Sequence, residues 1–369
     1  MGRPAENQYM PDTVSPPGET LQETLGALGM SQSDLAERTG RSKKMINEII
    51  KGKAPITPKM SLELERVLGV PASFWNNRER NFREAQARIE EQKRLQAHVE
   101  WLNSIPVKVM VKWGWIKGFR DKVPQLQEVL SFFGIASPDQ WSTIAASLNR
   151  QVAFRKSEAF EVDNGALLAW LRKGELEGKT IRCSPYNEKK FRSCLYTIRE
   201  LTVEPPEIFQ ERLVDLCADC GVAVVFVPEL PKTRVSGATR WLTANKAMIQ
   251  LSLRYRSNDH LWFSFFHEAG HIIKHGKKMI FLEGNELEMD KEKEEEANHF
   301  ASDFLIPRQE YAHFVKQGSF SKINIRHFAS QLGVAPGIVV GRLQHDKHLP
   351  ESHCNDLKIR LRWAPTESV

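Results

Sequence analysis

Residues 267–271 read His-Glu-Ala-Gly-His, which is the spacing H-E-x-x-H. On a helix, positions i and i+4 lie one above the other, so two imidazoles at these positions can grip one metal ion. Glu268 then stands beside a metal-bound water as a general base. A surface helix that happens to carry two histidines is the alternative that five residues alone leave open.

The segments before this pentapeptide predict a small sheet. Residues 221–228 form a β-branched run bounded by Gly and Pro, which is typical of a strand. Residues 235–242 and 247–253 predict two further strands, and residues 260–275 predict a helix closed by Gly276. A small sheet followed by an H-E-x-x-H helix is the order of zinc-dependent proteases. We also expect strand 247–253 to offer its edge to an extended peptide.

A catalytic zinc site needs a third protein ligand and one open position for water. Residues 291–304 predict a second helix whose inward face carries Ala297 and Ala301. Glu294 lies three and seven residues before those alanines and shares that face, so it is the preferred third ligand. Glu295 and Glu296 are the alternative ligands. A further alternative is that the acidic run at 292–296 is only a solvated face of the helix and binds no metal. Asn298, one turn further on, can hold the second ring nitrogen of a ligating histidine.

The N-terminal part predicts two short helices joined by a tight turn, the pattern of a helix-turn-helix. The first runs from Met30, with Ser31 as its cap, to Gly40, and the second covers residues 43–51. Met45, Ile46, Ile49 and Ile50 are expected on the inner side of the second helix. A helical bundle with a solvated basic face is the alternative.

The second helix would enter the major groove of DNA, where lysines suit phosphates and Lys or Asn can read base edges. The residues assigned to DNA contact are Gln32, Ser42, Lys43, Lys44, Asn47 and Lys51.

Residues 18–83 resemble the HigA-type helix-turn-helix antitoxins of the larger Xre/Cro-like family. The resemblance rests on the segments 18–21, 30–36, 46–53, 56–57 and 74–75, which read GETL, MSQSDLA, INEIIKGK, IT and FW. Arg41 departs from the family pattern, where a small apolar residue more often follows the turn glycine. The resemblance implies binding to an operator in double-stranded DNA, and it suggests a homodimer.

Residues 221–342 resemble the ImmA/IrrE metallopeptidases. The matching segments are 265–275, 294–301 and 304–307, which read FFHEAGHIIKH, EEEANHFA and FLIP. The resemblance implies a bacterial or phage-encoded endopeptidase of the gluzincin type, in a family known for cleaving helix-turn-helix repressors. The family's metal ligands fall on His267, His271 and Glu294, and its catalytic carboxylate falls on Glu268. His275 also matches and is assigned a supporting role beside the metal, with ligation as the alternative.

The implied cofactor is Zn²⁺, with Mn²⁺ as a substitute. The residues do not fix an oxyanion stabiliser, although Tyr311, His313 and His327 lie within sequence reach, each with a structural role as the alternative. Residues 323–342 have a second helix-Gly-helix form, which we assign to the peptidase module rather than to a second DNA reader.

Charge and cysteine usage narrow the classes of function. The net charge is +6, but residues 283–296 hold eight acids against two lysines, so the positive excess lies in the N-terminal half. Five cysteines in 369 residues do not form a disulfide framework, and the single C-x-x-C at Cys217 and Cys220 lacks the second pair of a structural zinc site. Without an apolar run of membrane length or a signal peptide, we expect a cytoplasmic protein.

The predicted fold is a mostly helical α+β multidomain protein. We expect a disordered leader at 1–17, a helix-turn-helix domain at 18–78 and a helical middle at 79–210, then a zincin-like peptidase domain at 211–345 and a tail at 346–369. The interpretation is a DNA-binding regulator that hydrolyses a regulatory protein: a repressor, a toxin–antitoxin partner or itself. The alternatives are an antitoxin-type repressor with a sensory or structural metal site, and a stress protease whose helix-turn-helix only docks proteins.

Overall fold

The computed structural model describes residues 15–143, 164–275, 281–282 and 291–364. The chain divides into two compact units, residues 1–99 and 100–369. Most of the predicted leader, residues 1–14, lies outside the described residues, and Pro17 already begins the first helix.

The described residues of the first unit, from 15 onward, form five helices. They are α1 (Pro17–Ala27), α2 (Gln32–Thr39), α3 (Lys43–Ile50), α4 (Pro58–Leu68) and α5 (Ala72–Gln96). Their inward faces share one core that includes Leu21, Leu35, Ile46, Leu64 and Trp75. The predicted helix-turn-helix is thus present as α2 and α3, enclosed by α1, α4 and α5.

Local capping sets the helix ends of this motif. The Ser31 hydroxyl accepts from the amide of Asp34, whose side chain in turn accepts from Ser31, a capping box at the start of α2. Gly40 closes α2 with φ 66°, a left-handed conformation that glycine adopts without steric cost. Arg41 then donates two hydrogen bonds to Glu63 on α4, at 2.8 and 2.7 Å, and ties the turn to the fourth helix.

The second unit begins with short helices around an aromatic cluster. They are a 3-10 turn at Val99–Ser104, α6 (Val107–Lys112), α7 (Lys122–Phe133) and a 3-10 turn at Pro138–Gln140. Trp101, Phe133 and Trp141 meet edge to face, with ring centroids 6.3, 5.2 and 4.8 Å apart. These aromatic side chains pack against one another, as expected of core residues.

Three helices then lead into a four-stranded sheet. They are α8 (Asn164–Thr180), α9 (Glu188–Glu200) and α10 (Pro206–Ala218), followed by β1 (Val222–Phe226), β2 (Gly237–Thr243), β3 (Lys246–Leu251) and, further along, β4 (Phe281–Leu282). The strand order is β1-β3-β2-β4, with β1 parallel to β3 and the other pairs antiparallel.

This order corrects one expectation, because β3 has no free edge. β1 and β2 occupy both of its sides, so the backbone groups of residues 247–251 already have partners within the sheet. A peptide cannot add to β3. The reason is topological: the parallel β1–β3 pairing joins segments more than twenty residues apart, which local sequence patterns do not encode.

The described residues of the C-terminal half form five further helices, the first of which packs against β2 and β3. They are α11 (Asn258–Lys274), α12 (Lys291–Leu305), α13 (Arg308–Lys316), α14 (Lys322–Leu332) and α15 (Pro336–His345). α11 is buried along most of its length, and α14 and α15 contribute Ile325, Val339 and Val340 to the same core. The helix-Gly-helix of residues 323–342 is therefore packed into this unit's core.

The segment after α15 is also packed, although its sequence predicts a tail. Leu349, Leu357 and Leu361 join the core, and the amide and carbonyl of Ile359 pair with Asn258 at the start of α11. Lys358 forms an ion pair of 2.7 Å with Asp259, which is buried. Residues 349–361 thus fix the first turn of α11.

Candidate metal centre and nucleic-acid interface

The pentapeptide lies on α11 and is buried. His267, Glu268 and His271 are 1%, 0% and 1% exposed, so none of them lies on a surface helix. The rings of His267 and His271 lie with centroids 4.7 Å apart, and their Nε2 atoms are 3.0 Å apart. The i, i+4 spacing has therefore brought one nitrogen of each ring to a common point.

α12 adds a carboxylate at that same point. Glu294 places Oε2 3.2 Å from Nε2 of His267 and Oε1 3.3 Å from Nε2 of His271. Within the described part of the chain, these three side chains form the one His/Cys/Asp/Glu group whose ligand atoms converge. Glu295 and Glu296, the alternatives from the sequence, are exposed.

The close approach of the two helices makes this convergence possible. A Cβ on Gly270 would lie 3.1 Å from Cδ1 of Phe300 and 3.3 Å from Cα of Ala297. Ala297 and Ala301 are fully buried on the facing side of α12. Small residues on both helices let the backbones come together, and the Glu294 side chain then reaches the histidines.

The two predicted supporting residues make different contacts. Asn298 places Oδ1 2.9 Å from Nδ1 of His267, where the amide oxygen accepts from the ring nitrogen that does not face the metal position. His275 lies further along α11, with Nε2 3.2 Å from the carbonyl of Lys293 and Nδ1 3.9 Å from a carboxylate oxygen of Glu296. His275 thus links the end of α11 to the first turn of α12.

β2 packs closely against Glu268, a contact that was not predicted from the sequence. A Cβ on Gly237 would lie 2.7 Å from Oε1 of Glu268, and the Thr239 hydroxyl donates to the Glu268 carbonyl at 3.0 Å. Only a residue without a side chain leaves room for the carboxylate. The signal in the sequence was a glycine within the predicted strand 235–242, which often marks a close approach.

Burial and mutual hydrogen bonds shift the pKa values of His271 and Glu294. Burial lowers the pKa of His271 to about 4, so its imidazole is neutral at neutral pH, the form that binds metals. Burial alone would raise the pKa of Glu294, but hydrogen bonds from His267 and His271 outweigh it and lower the pKa to about 2. The neutral imidazole of His271 and the ionised carboxylate of Glu294 are thus in the forms that bind a cation.

This ligand set fits a divalent metal ion. Donors held about 2.1 Å from a tetrahedral zinc ion stand about 3.4 Å apart. The two imidazole nitrogens here are 3.0 Å apart, and each lies 3.2 or 3.3 Å from one of the two carboxylate oxygens of Glu294. The nitrogen and oxygen donors are those of the catalytic zinc sites that keep one position open.

Other candidate residues are not brought to this centre. Tyr311 instead packs near Arg342 on α15 and near His348, which follows α15, and His313 and His327 are exposed. Cys217 and Cys220 are buried, but within the described residues no cysteine belongs to a converging ligand group.

The helix-turn-helix presents most of its predicted contact residues to solvent. Lys43, Lys44, Asn47 and Lys51 are exposed on and after α3. Gln32 is half-buried and donates to Gln22 at 2.8 Å.

Two details of the predicted interface differ from simple expectation. Ser42 is exposed, but its hydroxyl caps α3 by accepting from the amide of Met45 at 3.2 Å. Met45 was expected on the inner side, and that prediction is wrong, because its side chain is 40% exposed. Ile46 and Ile49 fill the core instead, and Met45 lies at the edge of their face, about 100° from Ile46 and about 40° from Ile49. The edge of the solvent-facing side of α3 therefore carries an apolar side chain near the basic ones.

The described helices include none with the length and hydropathy of a membrane span.

Comparison with known proteins finds family matches for two segments of the chain. Residues 21–75 match the helix-turn-helix family, and residues 219–344 match the peptidase M78 family, described as the IrrE N-terminal-like domain. Among solved structures, an addiction module antidote protein of the HigA family from Coxiella burnetii is 29% identical, with 22% of this chain and 89% of that chain covered and a TM-score of 0.21. No curated protein matches the chain. The resemblances inferred from the sequence are confirmed by the two family matches, so the chain combines a DNA-binding motif with a peptidase-like domain.

Proposed function

We propose that this protein is a DNA-binding regulator whose second unit is a zinc-dependent endopeptidase of the gluzincin type. The observation that carries the proposal is the meeting of His267, His271 and Glu294 at one point beside the buried carboxylate of Glu268. A purely structural metal site has four protein ligands, whereas a catalytic one has three and an open position. Three ligands next to a carboxylate favour catalysis.

Each residue of the centre has a defined task in peptide hydrolysis. His267, His271 and Glu294 would hold the metal, which would supply polarisation of the scissile carbonyl and acidification of a water molecule. Glu268 would act as the general base for the attacking water and would pass the proton to the leaving amine. Gly237 keeps the space that the Glu268 carboxylate needs. Asn298 fixes the ring of His267, so that its Nε2 stays directed at the metal position.

The proposed substrate is a regulatory protein: a repressor, a toxin–antitoxin partner or the chain itself. The helix-turn-helix at residues 21–75 supports a role at an operator in double-stranded DNA, and thus among transcriptional regulators. We further propose that the protein acts in the cytoplasm of a bacterium or as a phage product. A homodimer would match the two half-sites of a palindromic operator.

The proposal is tested by incubating the purified chain, loaded with zinc, with the regulators encoded beside its gene. The products are identified by mass spectrometry. Wild-type protein is expected to cut one of them at a defined bond, and Glu268→Gln, which keeps all three ligands, is expected to be at least about 10²-fold slower. Equal rates for the two proteins would rule out Glu268 as the general base.

A second candidate function is an antitoxin-type repressor whose metal site is sensory or structural. The match of residues 21–75 to the helix-turn-helix family is the observation that favours it. It predicts that the chain binds zinc and its operator, that operator affinity changes when zinc is removed, and that no regulator is cut.

A further inference from the structure

The solvent-facing side of α3 carries an apolar side chain, Met45, to which the proposed function gives no task. Lys43, Lys44 and Asn47 on the same helix are exposed and are assigned to DNA contact. The side chain of Met45 is 40% exposed. A single exposed apolar residue is common on protein surfaces and implies nothing by itself, whereas one on a DNA-facing helix has a defined set of partners.

The core of the first unit does not depend on Met45. Ile46 and Ile49, which are 0% and 2% exposed, fill the core from α3, and Ile50 packs against it from the edge. Met45 belongs neither to this cluster nor to the partly buried side chains that pack against it. A substitution at position 45 should therefore leave the fold intact.

Met45 lies in the first turn of α3, which is the part of a recognition helix that contacts base edges. Its amide donates to the hydroxyl of Ser42, the cap of the helix, at 3.2 Å, and this bond fixes the backbone at position 45. Around the helix axis, Met45 lies about 100° from Lys44 in one direction, and Asn47 lies about 60° from Lys44 in the other. Met45 and Asn47 thus flank Lys44, and a helix enclosed by the major groove presents both flanks to base edges.

The thioether side chain of Met45 limits what it can contact in the groove. Its sulfur is only a weak acceptor, and the side chain has no donor. Each base pair presents donors and acceptors in the major groove, and thymine adds an apolar group, the C5 methyl. An unbranched, adaptable side chain removes apolar surface from water when it meets that methyl group, whereas against a polar base edge it would displace water without supplying a hydrogen bond. Thymine is therefore the base that suits Met45.

We propose that Met45 contacts the C5 methyl group of a thymine in the operator and selects for that base. The inference rests on the proposed binding of operator DNA through α3. Lysines that pair with phosphates position the helix without reading the sequence, so the contact of Met45 adds selectivity that they do not provide.

The test uses the full-length protein and a duplex that it selects from a library with a randomised segment. In the selected duplex each thymine is replaced in turn by deoxyuridine, which lacks only the C5 methyl group, and affinity is measured by fluorescence anisotropy. We expect a sensitive position at which the replacement weakens binding about fourfold, the effect of burying one methylene-sized group.

Met45→Ala separates the methyl contact of Met45 from contacts made by other residues. At the sensitive position, this variant is expected to bind the thymine and deoxyuridine duplexes equally well, because the alanine side chain is too short to reach the methyl group. The matched control is Leu62→Ala, which shortens another exposed apolar side chain of the same unit, on α4. The control should keep the difference of about fourfold. Thermal unfolding at the wild-type temperature checks that both variants are folded.

Met45→Gln gives a second readout, because it keeps an unbranched side chain of similar length and replaces the thioether by an amide. Selection from the same library with this variant is expected to lose the thymine at the sensitive position and to keep the other selected bases. Glutamine pairs with the N6 and N7 atoms of adenine, so adenine is the expected replacement. An unchanged selected sequence would overturn the inference.

The outcomes distinguish failure of this inference from failure of the proposed function. If wild-type protein selects a duplex but deoxyuridine weakens binding nowhere, or weakens it equally in Met45→Ala, the inference is overturned and operator binding stands. If no duplex is bound in a salt-dependent way, DNA binding through α3 fails and the inference fails with it. A changed oligomeric state of Met45→Ala in sedimentation, with an unchanged thymine–deoxyuridine difference, would assign Met45 to a protein interface and would also overturn the inference.

Discussion

At the scale of single residues, the proposed centre depends on small side chains as much as on its ligands. Gly237 faces the carboxylate of Glu268 so closely that a Cβ would lie 2.7 Å from Oε1 and 2.9 Å from Cγ. Glu268 itself is fully buried, so it has little room to retreat. A methyl group at position 237 must displace either β2 or the proposed general base.

We therefore predict that Gly237→Ala lowers the rate of peptide cleavage by about 10²-fold, because a catalytic group displaced by 1 Å costs about that much. The atoms nearest a Cβ at position 237 belong to Glu268 and to none of the proposed ligands, so zinc content should stay at the wild-type level. Single-turnover kinetics and metal analysis of the same sample measure both quantities. A variant with the wild-type rate would show that the position of Glu268 is not critical.

A substitution at Asn298 is expected to change zinc affinity, which Gly237→Ala should leave unchanged. The side-chain oxygen of Asn298 accepts from Nδ1 of His267 at 2.9 Å. Asn298→Ala is expected to weaken zinc affinity about 10- to 100-fold, because the ring loses the partner that orients it. Competition with a zinc chelator measures the change, and Ser302→Ala, one turn further along α12, is the control.

At the scale of secondary-structure elements, the turn of the helix-turn-helix is held by a pair of charged side chains. Arg41 and Glu63 form two hydrogen bonds between this turn and α4. The pairing raises the pKa of Arg41 and, through the hydrogen bonds from Arg41, lowers the pKa of Glu63 from its usual 4.5. Arg41, which departs from the family pattern, thus stabilises the turn through its contact with Glu63.

The sign of the resulting pH dependence follows from the lowered pKa of Glu63. Its contribution to folding is fully present above the unfolded value of 4.5 and is lost as the pH falls through the lower folded value. We predict that Glu63→Gln destabilises the first unit by about 1 kcal/mol at pH 7 and by less near pH 3, since the pair is partly exposed. Scanning calorimetry of the full chain measures the unfolding transition at each pH. An equal effect at both pH values would mean that the charge of Glu63 does not matter.

Elements defined by local chemistry could be predicted from the sequence, and those defined by distant contacts could not. The cap at Ser31, the stop at Gly40 and the helical phase of Glu294 are local properties, and the structure has them where expected. Three other features depend on segments far apart in the chain: the strand order, the contact between Gly237 and Glu268, and the packing of residues 349–361. Met45 was misplaced because apolar character alone does not tell a buried helix position from an exposed one.

At the scale of the whole molecule, the chain joins a DNA-binding unit to a unit with peptidase character. The two compact units, residues 1–99 and 100–369, each contain one of the two family matches. The basic face of α3 belongs to the first unit and the metal centre to the second.

We predict that operator binding depends on the first unit's lysines and not on the catalytic carboxylate. Lys43→Ala/Lys44→Ala should weaken DNA binding and reduce the slope of log affinity against log salt by about 1 for each lysine that pairs with a phosphate in the wild-type complex. Glu268→Gln should bind DNA as the wild-type protein does. Anisotropy titrations at several salt concentrations give both values, and an unchanged slope in the lysine variant would argue against α3 as the DNA-facing helix.

The central claim, that His267, His271 and Glu294 hold a catalytic zinc ion, is tested most directly by the zinc content of purified variants. Mass-spectrometric metal analysis should find about one zinc ion per chain in wild-type protein and in Glu295→Gln, and far less in Glu294→Gln. Glu295 is the matched control, because it is the adjacent acid on the same helix and is exposed. Full zinc content in Glu294→Gln, or loss of zinc in Glu295→Gln, would contradict the account.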